Sequence, residues 1–162
     1  MPIVLRHNEQ IEMNLAEYTG QVSLAELEAT AAFLAANAPF LKRDTLSVAL
    51  ADSSFSAVPL DSLDRLFGRY KTLYAPLDFQ MLRRSAWLCF SDAARPHIDY
   101  WIGGRDVREA MSTTLRLLNS YAEAGEWLLL NEAETLALQT GAGFAEIARF
   151  DQTTEIRSAR AL

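Results

Sequence analysis

The segment Thr45-Leu46-Ser47-Val48-Ala49-Leu50-Ala51 is short and apolar, with Lys42-Arg43-Asp44 before it and Asp52-Ser53-Ser54 after it. A run of that length bounded by turn formers reads as an interior strand, buried on both faces and lying centrally in a sheet. Such a strand needs partners on both edges, and the remaining chain supplies them.

Ile3 to Arg6 is extended and apolar, His7-Asn8-Glu9-Gln10 is polar, and Ile11, Met13 and Leu15 then alternate with Glu12 and Asn14. That pattern predicts an opening hairpin with one buried face. Gly20 closes the second strand, and Ser23-Leu24-Ala25-Glu26 is a capping box that starts a helix running to about Asn37, before Pro39. Leu60, Leu63, Leu66, Phe67 and Tyr70 form the apolar stripe of a second helix, from about Leu60 to Leu73, with Asp61 and Asp64 near its positive end. Phe79 to Phe90 is expected as a fourth strand, residues 92–111 as a helix broken near Gly103-Gly104, and Thr113 to Leu118 as a fifth strand. Ser120-Tyr121-Ala122-Glu123 is a second capping box, and Asn131-Glu132-Ala133-Glu134 caps one more short helix stopped by Gly141 and Gly143. The expectation is an α/β fold in the order ββαβαβαβα, a mixed sheet of about five strands covered by helices. Residues 1–130 would form the domain, and 131–162 a helical extension packed on it or trailing from it.

At this length roughly 70% of the surface of the unfolded chain is buried on folding, enough for one core without a metal or disulfide staple. The single cysteine, Cys89, lies in an apolar run and reads as a small buried hydrophobe. The start of the chain has no cationic segment followed by a long apolar one, and no run of about 18 apolar residues occurs, so a cytoplasmic protein without integral membrane association is expected. A net charge of −6 opposes binding to phosphate backbones, so no nucleic-acid partner is expected. The best local basic candidates are Arg83-Arg84, Arg105/Arg108, and Arg149, Arg157 and Arg160, for which a solvated surface is the ordinary reading.

Three stretches together carry a family resemblance: Tyr18 to Leu27, where a glycine closes a strand before a capped helix; Val48-Ala49-Leu50-Ala51-Asp52, an apolar strand ending in Asp; and Leu115 to Leu128, a strand followed by an acidic-Ala-x-x-Trp-Leu helix. With these features the chain resembles the STAS superfamily of SpoIIAA-like domains, in particular its divergent bacterial STAS/SEC14-type branch, over most of its length. The resemblance implies a non-enzymatic regulatory domain that binds another protein. It also implies a regulatory phosphoserine in an Asp-Ser pair at the start of the second helix, which here falls on Asp61-Ser62. The chain departs from the family by continuing with Leu63-Asp64 instead of a small residue and Gly, and Asp61 and Asp64 would repel a phosphate on Ser62. An ordinary first-turn serine is the competing reading. The SEC14-type likeness implies an apolar cavity between helices and sheet, carrying a small apolar or lipid-like ligand. Trp87, Phe90, Tyr100 and Trp101 are its candidate lining, against the plainer reading of core aromatics.

Other chemistry is not indicated. His7 and His97 have no metal-ligand spacing, no Gly-x-Ser-x-Gly elbow holds a nucleophile, and neither Gly103-Gly104-Arg105 nor Gly141-Ala142-Gly143 has the setting of a phosphate loop. No catalytic residue, cofactor or metal is expected. A homodimer is compatible with the open sheet edges such a fold leaves.

Overall fold

A computed structural model describes residues 2–77, 83–107 and 113–151. Six strands make one mixed sheet: β1 (Ile3–Asn8), β2 (Met13–Tyr18), β3 (Asp44–Ala49), β4 (Arg83–Cys89), β5 (Thr113–Leu118) and β6 (Ala145–Phe150), in the spatial order β5-β4-β3-β2-β1-β6. β1 runs antiparallel to β2 and to β6, whereas β2, β3, β4 and β5 are mutually parallel. The α/β class and the mixed sheet follow the sequence expectation, and β3 is the interior strand that its composition requires.

The parallel strands are joined by helices α1 (Leu24–Ala36) with the short α2 (Ala38–Leu41), then α3 (Leu60–Tyr74), then α4 (Arg95–Val107). Three successive crossovers that step the same way across a sheet, each right-handed, deliver their helices to one face. Accordingly Leu27, Ala31, Leu63, Leu66 and Ile98 pack with Ile3, Leu5, Ala16 and Tyr18 in one cluster. The return from β5 to the far edge carries α5 (Tyr121–Trp127) and α6 (Glu132–Thr140) over the opposite face. There Ala124, Leu128 and Leu138 close on Met13, Leu15, Leu46, Val48, Ala86 and Leu88.

Local chemistry accounts for the element starts. Ser23 Oγ accepts from the Glu26 amide (3.2 Å) while Glu26 Oε1 accepts from the Ser23 amide (3.1 Å), which completes the predicted capping box. Asn131 and Glu134 do the same for α6, and Gly141 ends that helix at φ 80°. At α5 only half of the box forms: Ser120 Oγ accepts from the Glu123 amide, but the Glu123 carboxylate accepts from Asn119 instead.

Two expectations are corrected. Helix α4 is continuous through Gly103, because Pro96 sits in its first turn, where no intrahelical donor is lost, and a glycine at the exposed position 103 lowers propensity without forcing a break. Residues 145–150, expected as part of a helical extension over 131–162, form β6 and add a sixth strand. Its signal is hidden by a bulge: Leu5 pairs with Ala148 but Arg6 pairs with Glu146, so Ile147 is skipped and joins Ala148 in packing on the same core cluster. The hairpin also turns later than expected, with His7 and Asn8 still in β1. Residues 79–82 of the expected fourth strand lie outside the described residues.

Candidate functional site

Alternation along the strands sets what each face receives. In β3, Leu46 and Val48 point to α5 and α6, so Thr45, Ser47 and Ala49 point to α1, α3 and α4. Strand register aligns these with their neighbours in transverse rows. One row runs Asn14, Thr45, Ser85, Leu115, and the next runs Ala16, Ser47, Trp87, Leu117. The α5/α6 face is therefore floored by branched aliphatics, and the other by small and polar side chains at its centre.

Small side chains under three helices leave space. A cavity of about 140 Å³ lies between this floor and the helices, walled by Leu27, Thr30 and Leu34 of α1, by Leu63, Leu66, Tyr70 and Tyr74 of α3, by His97, Ile98 and Trp101 of α4, and by Phe55. Close-packed interiors rarely leave voids much larger than a water molecule, and an engineered apolar cavity of about 150 Å³ admits benzene. The opposite face keeps its helices directly on Leu46, Val48 and Leu88, all at most 1% exposed.

The described walls are largely aromatic and aliphatic. Tyr18 and Trp87 stack with ring centroids 5.1 Å apart, Phe55 packs at 5.6 Å from Tyr18, and Trp101 meets Phe67 and Tyr70 edge-on. Among the described residues no Asp, Glu, Lys or Arg lines the cavity. Burial pushes the Tyr18 phenol up to about 12, with the Ser47 hydroxyl beside it offsetting part of that rise, so the phenol is neutral at physiological pH. Several polar groups of the wall are already engaged. Asn14 Nδ2 donates to the Phe40 carbonyl (2.7 Å), Thr30 Oγ1 to the Glu26 carbonyl (2.9 Å), and His97 Nε2 to the Val58 carbonyl (2.9 Å). By contrast, the Trp87 indole N–H and the Ser85 hydroxyl have no hydrogen-bond partner among the described residues.

The four aromatics singled out from sequence separate. Trp87 and Trp101 line the cavity, whereas Phe90 is 46% exposed and lies against Tyr121, and Tyr100 donates its hydroxyl to the Asp64 carboxylate at the surface. Phe90 departs because it follows β4 at the point where the chain leaves the sheet, and Tyr100 because it precedes Trp101 by one residue and so sits about 100° round the helix. Ser62 is 2% exposed, and its Oγ accepts from Arg65 Nη2 (3.0 Å).

The basic candidates form no common patch among the described residues. The Arg84 and Arg116 guanidinium carbons lie 4.9 and 4.5 Å from the centre of the Trp127 ring, and Arg149 pairs with Glu146. The side chains of Arg83 and Arg105, and residues Arg108, Arg157 and Arg160, lie outside the described residues. Cys89 is half-buried, with its thiol donating to the Ser91 carbonyl.

Tyr18, Ser47, Phe55, Tyr70, Tyr74, Ser85 and His97 are cavity residues that the sequence reading did not single out. The available signal was the recurrence of Thr45, Ser47 and Ser85 at inward positions of strands that need apolar residues on both faces. Compared with models of known protein families, with curated proteins and with solved structures, the chain matches none.

Proposed function

We propose that this chain is a non-enzymatic binding domain that encloses a small, mainly apolar ligand between its sheet and helices α1, α3 and α4. The observation that carries the reading is the aromatic-walled cavity of about 140 Å³ on one face of a sheet whose other face carries a cluster of buried aliphatic side chains. Sites of this kind combine apolar walls with a few orienting polar groups, and among the described residues the wall holds no carboxylate, lysine or cysteine. Of the small apolar and the lipid-like ligand that the SEC14-type likeness implies, the size favours the former. Among the described residues no helix is long and apolar enough to cross a membrane. A cytoplasmic setting belongs to the same proposal.

The test is an amide and indole NMR titration with small uncharged aromatics, beside the variant Ala16→Leu, which places a large side chain on the cavity floor. Saturable shifts at the Trp87 and Trp101 indole resonances that vanish in the folded Ala16→Leu protein would support the reading. Shifts unchanged by that variant would refute it.

A second reading, a STAS-like regulatory domain that binds another protein, is favoured by Phe90, whose half-exposed ring stands with Tyr121 where β4 ends. The partner of this reading is a second copy of the chain. Light scattering should then give a dimer for the wild type and a monomer for Phe90→Asp, and a monomeric wild type would dismiss it. The burial of Ser62 supports an architectural role for that serine rather than a phosphorylation switch.

A further inference from the structure

We infer that the ligand is a compact, uncharged aromatic molecule bearing an oxygen acceptor, held by the Trp87 indole N–H and the Ser85 hydroxyl. This rests on the cavity being a binding site, and adds the ligand's chemistry.

Three features of the wall select that class. The first is charge. With no Asp, Glu, Lys or Arg among the described residues of the lining, a carboxylate or ammonium would lose its hydration without gaining a counter-charge from them, a cost that disfavours ions in such sites. The second is shape. Tyr18, Phe55, Tyr70, Tyr74, Trp87 and Trp101 surround a space large enough for one substituted six-membered ring. The third is hydrogen bonding. Trp87 and Ser85 are two residues apart on β4 and project from the same face of the sheet. An indole nitrogen donates only, so the complementary ligand group must accept, and a hydroxyl can donate to the same oxygen. Asn14 is committed to the Phe40 carbonyl and Thr45 to the Arg43 carbonyl, while His97 gives its Nε2–H to the Val58 carbonyl and keeps a buried Nδ1 without a partner among the described residues. Trp87 and Ser85 are thus the donors left to orient the acceptor of a bound molecule, with His97 Nδ1 an unpartnered acceptor of the same wall.

The probes are acetophenone, ethylbenzene and benzoate, which share a ring and similar size but differ in acceptor and charge. Dissociation constants are read from NMR titrations of the full chain. Acetophenone should bind about 10-fold more tightly than ethylbenzene, the discrimination expected when one ligand leaves a polar group of the site unpaired. Benzoate should bind at least about 10-fold more weakly than acetophenone. In Trp87→Phe, which keeps a ring but removes the donor, the preference for acetophenone should fall to within about 3-fold while ethylbenzene binding is retained. Ser85→Ala, a smaller change within the strand, should reduce the same preference and guards against a packing defect in the tryptophan variant.

Equal binding of acetophenone and ethylbenzene to the wild type would overturn the acceptor assignment and leave the cavity reading standing. Preferred binding of benzoate would overturn the assignment of an uncharged ligand. Binding by none of the three would overturn both this inference and the function proposed above.

Discussion

Replacing Ser85 by valine should make the protein more stable and a poorer binder. Ser85 lies on β4 in register between Thr45 and Leu115, at the cavity floor. Valine exchanges the unpartnered hydroxyl for a methyl and adds one more carbon, both directed into open space. Burying a methylene contributes about 0.8 kcal/mol, and because Ser85 is only half-buried its hydroxyl adds little to that gain when removed. The branched side chain also suits a strand. A gain of about 1 kcal/mol is expected, which for a chain of this size raises Tm by about 2–4 °C. Urea unfolding followed by far-UV circular dichroism should show a higher midpoint with an unchanged m value, and acetophenone affinity should fall. Leu88→Ala provides the contrast, since Leu88 is fully buried on the packed face and its truncation should cost about 2–5 kcal/mol. If Ser85→Val instead destabilises by about 1 kcal/mol or more, the added methyl has met packed atoms, as overfilled cores do, and the space inferred at this position is not there.

Three further outcomes follow from features elsewhere in the fold. The Tyr18 phenol is pushed from about 10 up to about 12 by burial, so its contribution is fully present below pH 10 and is lost as the pH rises from 10 to 12. Urea titrations at several alkaline pH values should therefore show wild-type stability falling relative to Tyr18→Phe by up to about 3 kcal/mol, and a pH-independent difference would count against a buried phenol. At Gly125, an added Cβ would lie 2.2 Å from Thr135 Oγ1 and 3.0 Å from its Cβ, so Gly125→Ala should destabilise by about 1–2 kcal/mol despite better helix propensity. Thr135→Gly should recover most of that loss in a double-mutant cycle, and additive effects would contradict the close approach of α5 and α6. Leu129 holds φ 61° just past α5 with its side chain 74% exposed, so Leu129→Gly should stabilise by up to about 1 kcal/mol in thermal unfolding, and a loss of stability would refute the strain at that turn.

The parts of the fold that were legible are those whose signals are local. Ser23 and Glu26 lie three residues apart and satisfy each other's amides, so their pairing needs no knowledge of the sheet. The run around Val48 is apolar enough to demand cover on both sides. Strand β6 was illegible because the skipped residue Ile147 breaks its two-residue period, and because an edge strand with Glu146 and Arg149 facing out buries too little to declare itself. The cavity was half legible. Trp87 and Trp101 could be suspected from the crowding of aromatics, but the space beneath them depends on Thr45, Ser47 and Ser85 falling in adjacent transverse rows. That alignment is fixed by register between strands some forty residues apart, which no short window of sequence contains.

The unequal filling of the two faces also bears on how the molecule should answer compression. A hollow of about 140 Å³ corresponds to roughly 80 mL/mol, near the upper end of the ~20–100 mL/mol by which unfolding usually shrinks a protein and its solvent. Hydrostatic pressure should therefore act first on the layer formed by α1, α3 and α4, while α5, α6 and the strands beneath them hold their shape. A molecule seated in the hollow would remove much of that susceptibility, so that resistance to pressure becomes a gauge of occupancy.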